Sequence, residues 1–235
     1  MPAIADFAYA VLFAAGWPLY DYFVDWPTFQ RWLRDDPNRA RPRAYRNTAL
    51  RQWILVAIGV ALWQRAGRSW SALALESPSG WRLWTSAGVL LLIAGGYASQ
   101  ARAVARPGVK ERLRTSLAAL EAVVPHTRTE LAWFVLASAT AAVCEEFLFR
   151  GYLIWTLTPT LSWWGAAAAS VPLFGFLHAY QGRKGVVRTA KAGVIMTLVV
   201  AGTRSLVPAM VLHAIIDIGG GVVTWMVWRD TPRHS

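Results

Sequence analysis

Long apolar runs alternate with short basic stretches along the whole chain. A bilayer core of about 30 Å requires roughly 20 apolar residues per helix, within a range of about 17–25. Seven segments come near this length, so the pattern predicts an all-α, polytopic transmembrane helix bundle with about seven spans. The second and sixth segments are short, and we expect their flanking arginines to reach toward the membrane surface. The predicted spans are residues 3–23, 50–64, 83–100, 131–157, 162–179, 185–201 and 206–228.

Residues 101–124 differ from these runs, because basic side chains and leucines recur there at helical spacing. This pattern fits an amphipathic helix that lies at the membrane interface. It fits an ordinary solvated linker helix equally well, and the sequence alone leaves both open. The basic positions are Arg102, Arg106, Lys110, Arg112 and Arg114, and the apolar ones are Leu113, Leu117 and Leu120.

Positive charge is concentrated in every second gap between the apolar runs. Nineteen Lys and Arg residues lie in these gaps and in the C-terminal tail, against four in the alternate gaps. Cytoplasmic loops of membrane proteins carry such an excess. We therefore expect an integral protein of the bacterial inner (plasma) membrane, with its N-terminus outside and its C-terminus in the cytoplasm. The basic stretches are residues 31–51, 102–128, 183–191 and 229–235.

Composition supports a membrane location and argues against nucleic acid as a partner. The 235-residue chain is 55% hydrophobic and 16% charged, whereas about a quarter of the residues of soluble domains are charged. The net charge of +11 lies between apolar runs, where it faces anionic lipid rather than a nucleic-acid groove. The single cysteine, Cys144, excludes an internal disulfide. Asp6 stands where a signal peptide has basic residues, so we expect the first span to be retained.

Two adjacent carboxylates, Glu145 and Glu146, interrupt the fourth predicted span. An ionisable group inside a span costs about 2.5–3.5 kcal/mol on insertion scales, and such groups are usually functional. Neighbouring residues point about 100° apart on a helix, so the two are not expected to share one role. Glu146 and Arg150 are four residues apart and are predicted to form an ion pair. Glu145 has no local partner and is the candidate general base; solvated charges at a helix end are the alternative.

Two histidines also lie in apolar segments. Phe174 and His178 share a helical face, so the phenyl ring is expected to cover one side of the imidazole. His213 and Asp217 share a face of the last span, where the carboxylate can orient the imidazole or both can bind one ion. Taken singly, these patterns are also typical of an interfacial histidine and of a satisfied core pair. Together with Glu145 they predict one polar site inside the membrane.

The order Glu-Glu-x-x-x-Arg, Phe-x-x-x-His and His-x-x-x-Asp resembles the three motifs of the CPBP family. This family comprises type II CAAX prenyl endopeptidases and bacterial relatives linked to bacteriocin processing and immunity. The resemblance identifies residues 129–228 as a CAAX-protease-like catalytic core, preceded by N-terminal spans and basic loops in residues 1–128 and followed by a cytoplasmic tail, 229–235. It implies an intramembrane endopeptidase, a hydrolase that acts on membrane-associated proteins or peptides.

One position departs from the family pattern. Prenyl endopeptidases usually carry asparagine where this chain has Asp217. Asparagine can donate a hydrogen bond to a developing oxyanion, whereas an ionised aspartate cannot. Asp217 is better suited to bind a metal or to pair with His213. The departure weakens the transfer of a prenylated substrate to this chain and leaves the reaction class unchanged.

The resemblance implies hydrolysis in a polar cavity between the fourth, fifth and seventh spans. Glu145, helped by His178, would deprotonate a water that attacks the scissile carbonyl. His213, oriented by Asp217, would stabilise the resulting oxyanion. The predicted catalytic residues are Glu145, Glu146, His178, His213 and Asp217, with Arg150 and Phe174 as structural support.

A metal-centred variant stays open at this point. His178, His213 and Glu145 could supply the three protein ligands of a divalent metal such as zinc, with water as the fourth. The family is commonly labelled as metalloproteases. The chain contains no His-Glu-x-x-His pair, so the metal-free glutamate mechanism is placed first.

Two functions of other classes fit the same residues. A non-catalytic scaffold or immunity protein of the same family would keep the motifs as a polar core. A proton-coupled transporter would use the carboxylates as a relay, and it predicts an inverted repeat that the two halves of the chain do not show.

The predicted span limits raise a geometric difficulty. His178 lies near the cytoplasmic end of its span, whereas Glu145 and His213 lie nearer the middle of the membrane. A convergent site therefore requires either a longer fifth span or a long and tilted fourth span. Such a site is expected to open toward the basic, cytoplasmic side.

Overall fold

The computed structural model describes residues 1–230, which are almost entirely helical and contain no β-strand. The predicted all-α membrane bundle is thus confirmed. Two of the long helices begin at side-chain caps. The Asp36 side chain accepts a hydrogen bond from the backbone of Arg39, and Thr127 and Glu130 form a capping box. The α-helices are α1 (Ile4–Val11), α2 (Trp17–Tyr20), α3 (Trp26–Asp35), α4 (Pro37–Arg65), α5 (Trp81–Val104), α6 (Pro107–Leu117), α7 (Arg128–Glu145), α8 (Ile154–Phe176), α9 (Gly182–Thr203) and α10 (Val207–Trp228).

Three π-helical stretches join some of these helices end to end. Two of them connect α1, α2 and α3 into one helical arm, and the third connects α7 to α8. The third stretch begins at Glu146, in the middle of the predicted site. Such wide turns are frequent at functional sites. The π-helical stretches are Leu12–Gly16, Asp21–Asp25 and Glu146–Leu153, and 3₁₀ turns are found at Trp70–Leu73, Ala118–Leu120 and Ala179–Gln181.

Four helical segments are long and apolar enough to cross a membrane. They contain the last five predicted spans, because the fourth and fifth lie within one 49-residue segment. The first two predicted spans are helical but are not among the four: Asp6 and Asp21 interrupt the first, and the second lies in the arginine-rich α4. The predicted count of seven is therefore only partly confirmed. The four segments are Trp81–Val104, Arg128–Phe176, Ala179–Thr203 and Val207–Trp228.

A sharp bend at Ser162 divides the 49-residue segment into two arms. The backbone of Ser162 has a φ of 60° and a ψ of 168°, which are not helical values. The first arm covers residues 128–161, and the second returns beside it. The rings of Phe149 and Phe174 lie 5.3 Å apart. The return arm therefore brings Phe174 beside the π-helical stretch. The first arm is the long fourth span that a convergent site requires.

Glycines permit two close helix contacts around this region. A Cβ atom at Gly175 would lie 3.0 Å from the Cβ of Ala190, so α8 and α9 cross at small side chains. A Cβ atom at Gly221 would lie 2.3 Å from the ring of Phe134, so α10 accepts that ring from α7 only because the position is glycine. Small residues allow such close approach in membrane bundles. The contacts draw α7, α8, α9 and α10 around one centre.

Three of the four basic stretches, the first, second and last, lie together at one end of the bundle. Arg41 Nε donates a hydrogen bond to the carbonyl oxygen of Ala122 at 3.0 Å. Lys110 Nζ donates to Asp230 at 2.9 Å and lowers the pKa of that carboxyl group. At the opposite end, the loop of residues 66–80 is hydrogen-bonded to the start of α10. This separation agrees with the alternating charge pattern, and the direction of the bundle in the cell stays a prediction.

The leucines of the predicted amphipathic segment pack against protein. Leu113, Leu117 and Leu120 of α6 and the 3₁₀ turn after it contact a cluster that contains Val227 and Trp228. Their apolar face thus covers the end of α10. The prediction offered an interfacial helix or a solvated linker, and neither alternative included this packing.

Candidate active site

The junction of α7 with the π-helical stretch places both glutamates beside one imidazole. Glu145 ends α7 and Glu146 begins the π-helix, and both side chains are buried. His213 of α10 lies between them. Its Nδ1 atom is 3.0 Å from Glu146 Oε1, and its Nε2 atom is 3.9 Å from Glu145 Oε2. The two carboxylates point in different directions, as predicted, yet they flank opposite nitrogens of the same ring.

Glu146 is occupied by two charged or polar partners. Arg150 Nη1 donates to Glu146 Oε1 at 2.9 Å, which confirms the predicted ion pair. The same oxygen accepts the Nδ1 proton of His213. Both members of the ion pair are fully buried. Because its Nδ1 atom is engaged, His213 presents its Nε2 atom to Glu145 and Asp217.

Several polar atoms of this ion pair have no hydrogen-bond partner within the described part of the chain. They are Glu146 Oε2 and the Nε and Nη2 atoms of Arg150, all of them buried. A buried polar atom without a partner costs about 1–3 kcal/mol. Native structures contain few such atoms, and each calls for an explanation in terms of strain or function.

Glu145 has a partner that sequence reasoning missed. Gln52 Nε2, on α4, donates a hydrogen bond to Glu145 Oε1 at 2.8 Å. The Gln52 side chain is buried, with 1% of its residue surface exposed. The signal that could have found it is an uncharged amide near the start of an apolar run, residues 50–64. One oxygen of Glu145 is therefore held, and the other faces His213.

Asp217 is the exposed member of the site. Its Oδ2 atom lies 3.5 Å from His213 Nε2, so the predicted pairing of these two residues is confirmed. The Asp217 side chain is 39% exposed, against 9% for His213. Three carboxylates surround the imidazole, and Arg150 is their positively charged partner. Carboxylates thus outnumber the guanidinium group three to one in this site.

Phe174 and Gly193 enclose the guanidinium group of Arg150. The guanidinium carbon lies 3.9 Å from the centre of the Phe174 ring, within the range of a cation–π interaction. A Cβ atom at Gly193 would lie 3.0 Å from Arg150 Nη2 and 3.2 Å from the Phe174 ring. The glycine on α9 therefore leaves the room that the buried arginine occupies. Phe174 has the supporting position that was predicted for it.

His178 lies at the edge of this group. Its ring is 5.8 Å from that of Phe174, which in turn is 6.1 Å from His213. His178 also stacks on Tyr180, with ring centres 6.0 Å apart. Within residues 1–230, no hydrogen bond or ion pair joins His178 to Glu145, whose contacts are made by other residues. The predicted assistance of Glu145 by His178 therefore stays a prediction.

The described residues do not fit the predicted metal site. Among residues 1–230, no group of three or more His, Cys, Asp and Glu side chains is arranged to hold a metal ion. Of the proposed ligands, Glu145 and His213 face each other, and the Phe174 ring lies 5.8 Å from the ring of His178 and 6.1 Å from that of His213. We therefore derive no step of the reaction through a metal.

Residues 127–219 match the family model described as Rce1-like, type II CAAX prenyl endopeptidase Rce1-like. This segment, less than half of the chain, is similar to CAAX proteases. The match covers α7, α8, α9 and the first half of α10, and it includes every residue of the three motifs. The resemblance to this family is thereby confirmed over residues 129–219, and the predicted end of the core at residue 228 stays a prediction. The matched family is a protease family. Together with the four apolar helical segments, the match shows an integral membrane protein that contains a protease-like segment. Comparison with curated proteins and with solved structures gave no match.

Proposed function

We propose that the protein is an intramembrane endopeptidase that hydrolyses a peptide bond in a membrane-associated protein or peptide. The observation that supports it best is the division of labour between the two glutamates. Glu146 is neutralised by Arg150 and bonded to His213. Within residues 1–230, Gln52 binds only Oε1 of Glu145, and the other oxygen, Oε2, lies 3.9 Å from His213 Nε2. A carboxylate in that position is available as a general base.

The proposed reaction proceeds through one tetrahedral intermediate. Glu145 takes a proton from a water molecule while the water oxygen attacks the scissile carbonyl carbon. The Nε2–H group of protonated His213 donates to the oxyanion that forms. The C–N bond then breaks, and the proton held by Glu145 is transferred to the leaving amine. The products are a new carboxylate and a new amino terminus, and the enzyme returns to its starting state.

The remaining site residues set the orientation and charge of His213. Glu146 accepts the Nδ1 proton and thereby fixes the direction of Nε2, as carboxylates do for catalytic imidazoles. Asp217, beside Nε2, provides negative charge that stabilises the imidazolium. Removal of an oxyanion donor typically lowers kcat by about 10²–10³. We propose that the basic end of the bundle lies in the cytoplasm, as the charge pattern predicts, and that the substrate enters from that side.

A comparison of protein termini tests this proposal. Membranes from host cells that lack the gene are incubated with purified wild-type protein or with Glu145→Gln, and new amino termini are labelled and identified by mass spectrometry. We expect termini that appear only with the wild type. A quenched fluorescent peptide spanning one such cleavage site then gives kcat/KM. We expect Glu145→Gln to lower it by about 10²–10⁴, the usual contribution of a general base.

Glu111→Gln is the matched control, because its carboxylate is on α6 and 71% exposed. This variant should cleave at the wild-type rate. A wild-type protein that yields no new termini would favour the non-catalytic scaffold or immunity protein. Cleavage by Glu145→Gln at the wild-type rate would remove Glu145 as the base.

A further inference from the structure

The residue that holds Glu145 comes from outside the CAAX protease segment. Gln52 lies in α4, and the family match begins at residue 127. Its amide is 1% exposed and donates to Glu145 Oε1 at 2.8 Å. The hydrogen bond crosses the packed interface of α4 with α7. The N-terminal half of the chain therefore reaches the atoms that the proposed reaction uses.

The helix that carries Gln52 is fixed on both sides of this residue. Directly before it, Arg51 Nη1 donates to Asp25 Oδ1 at 2.7 Å, which ties α4 to the N-terminal arm. Two turns further, a Cβ atom at Gly59 would lie 2.7 Å from the hydroxyl oxygen of Tyr9. Tyr9 itself donates to the carbonyl oxygen of Leu55. These contacts define the rotation of α4 and hence the direction of the amide.

We propose that Gln52 is a positioning residue for the general base, Glu145. By holding Oε1, the amide leaves Oε2 directed at His213 Nε2, 3.9 Å away. The donated hydrogen bond also favours the ionised carboxylate, which is the form that accepts a proton from water. This inference rests on the proposed function, and it places part of the active site outside the segment that the family match defines.

The amide is poorly explained by folding alone. Gln52 Oε1 is buried and has no hydrogen-bond partner in the described residues. A purely structural contact between α4 and α7 is better made by an apolar side chain, which buries no unpaired acceptor. The Gln52 amide therefore packs less well than an apolar side chain would, and its role is to hold the Glu145 carboxylate.

The test compares Gln52→Leu with Gln64→Leu, which changes an exposed glutamine on the same helix. Both are assayed against wild type with the quenched peptide, across a range of pH. We expect Gln52→Leu to lower kcat/KM by about 10–100-fold, the usual effect of removing a residue that orients a catalytic group. Gln64→Leu should match the wild type.

The pH profile separates positioning from loss of folded protein. The charged groups that face Glu145 are His213 and Glu146, together with Asp217 and Arg150 nearby, and none of them changes in this variant. Without the amide donor, the acid limb of kcat/KM should move to higher pH, because the ionised carboxylate loses a hydrogen-bond donor. A smaller amount of folded enzyme lowers the whole profile without moving it.

Two outcomes contradict the inference. A wild-type rate for Gln52→Leu, or a lower rate with an unmoved acid limb, removes the positioning role while Glu145→Gln stays inactive and the proposed function stands. If Glu145→Gln is active, the proposed function itself fails. A second measurement does not depend on activity: the thermal unfolding of Gln52→Leu, Glu145→Gln and the double variant should show coupling between the two side chains, and additive shifts would contradict the contact.

Discussion

Two buried polar clusters meet the same π-helical stretch, Glu146–Leu153, and are built in opposite ways. Toward its end, Tyr152 and Arg68 both bind Asp6. The arginine does so through two hydrogen bonds of 2.8 and 2.7 Å. Toward its beginning lies the candidate active site. The Asp6 cluster is one carboxylate matched by one guanidinium, whereas the active site combines three carboxylates with one arginine.

The two clusters also differ in how completely their hydrogen bonds are satisfied. In the Asp6 cluster, the guanidinium of Arg68 is bidentate and lies 4.5 Å from the ring of Trp155. In the active site, Glu146 and Arg150 keep buried atoms without partners. A closed cluster of matched charge is typical of a structural tie. Excess carboxylates and unpaired buried atoms are the features on which the proposed active site rests.

The largest effect is expected from Arg150→Met. This change leaves the Glu146 carboxylate buried without its cation, which typically costs about 3–5 kcal/mol. We expect a large fall in the thermal unfolding temperature, measured in detergent or lipid nanodiscs. Arg183→Met, at an exposed arginine on α9, is the control and should unfold like the wild type.

Adding Glu146→Gln to Arg150→Met should recover part of that stability, because the unpaired charge is removed. The recovered protein should still be inactive, since His213 Nδ1 loses its carboxylate partner. If the double variant is less stable than Arg150→Met alone, the ion pair is not the reason for the destabilisation.

A smaller effect is expected from Asp6→Asn in the closed cluster. Hydrogen bonds to charged groups contribute about 1.5–3 kcal/mol, and Arg68, with 14% of its side chain exposed, keeps some contact with solvent. The unfolding temperature should fall, while kcat/KM of the folded protein stays at the wild-type value. Asp35→Asn, at an exposed position of the same arm, should change neither quantity. An altered pH profile in Asp6→Asn would mean that the two clusters are not separate in function.

The smallest effect is expected from Gly193→Ala. The added methyl group meets Arg150 Nη2 at 3.0 Å and the Phe174 ring at 3.2 Å, and overpacking of this kind costs about 1–3 kcal/mol. Gly202→Ala is the matched control on α9, because a Cβ atom there meets nothing within 4 Å. It should gain up to about 1 kcal/mol from helix propensity. Equal stability of the two variants would show that the Arg150 guanidinium group moves away from the added methyl group at no cost in stability.

Local spacing predicted the parts of the site that lie on one helix. Glu146 with Arg150, and His213 with Asp217, are four residues apart, and a helix places such pairs together whatever surrounds them. The helical bundle was predicted equally well, since apolar length is a direct consequence of bilayer thickness. The number of spans was predicted less well. Seven were expected, and four helical segments of the described residues are long and apolar enough to cross a membrane.

Contacts between distant segments were beyond the sequence. Gln52 carries no charge and has no spacing relationship to Glu145, which lies 93 positions later. The π-helical stretch has no residue pattern of its own, so the shared approach of both glutamates to His213 could not be derived. These features depend on tertiary packing, which overrides local preference.

The eight-residue π-helical stretch also constrains how this chain can change in length. Removing one residue from it would rotate every later side chain by about 100° relative to α7. Tyr152 would then leave Asp6, or Arg150 would leave the Phe174 ring. Exposed loops absorb insertions and deletions, whereas this helix tolerates neither. Gaps in an alignment of related chains should therefore fall outside Glu146–Leu153.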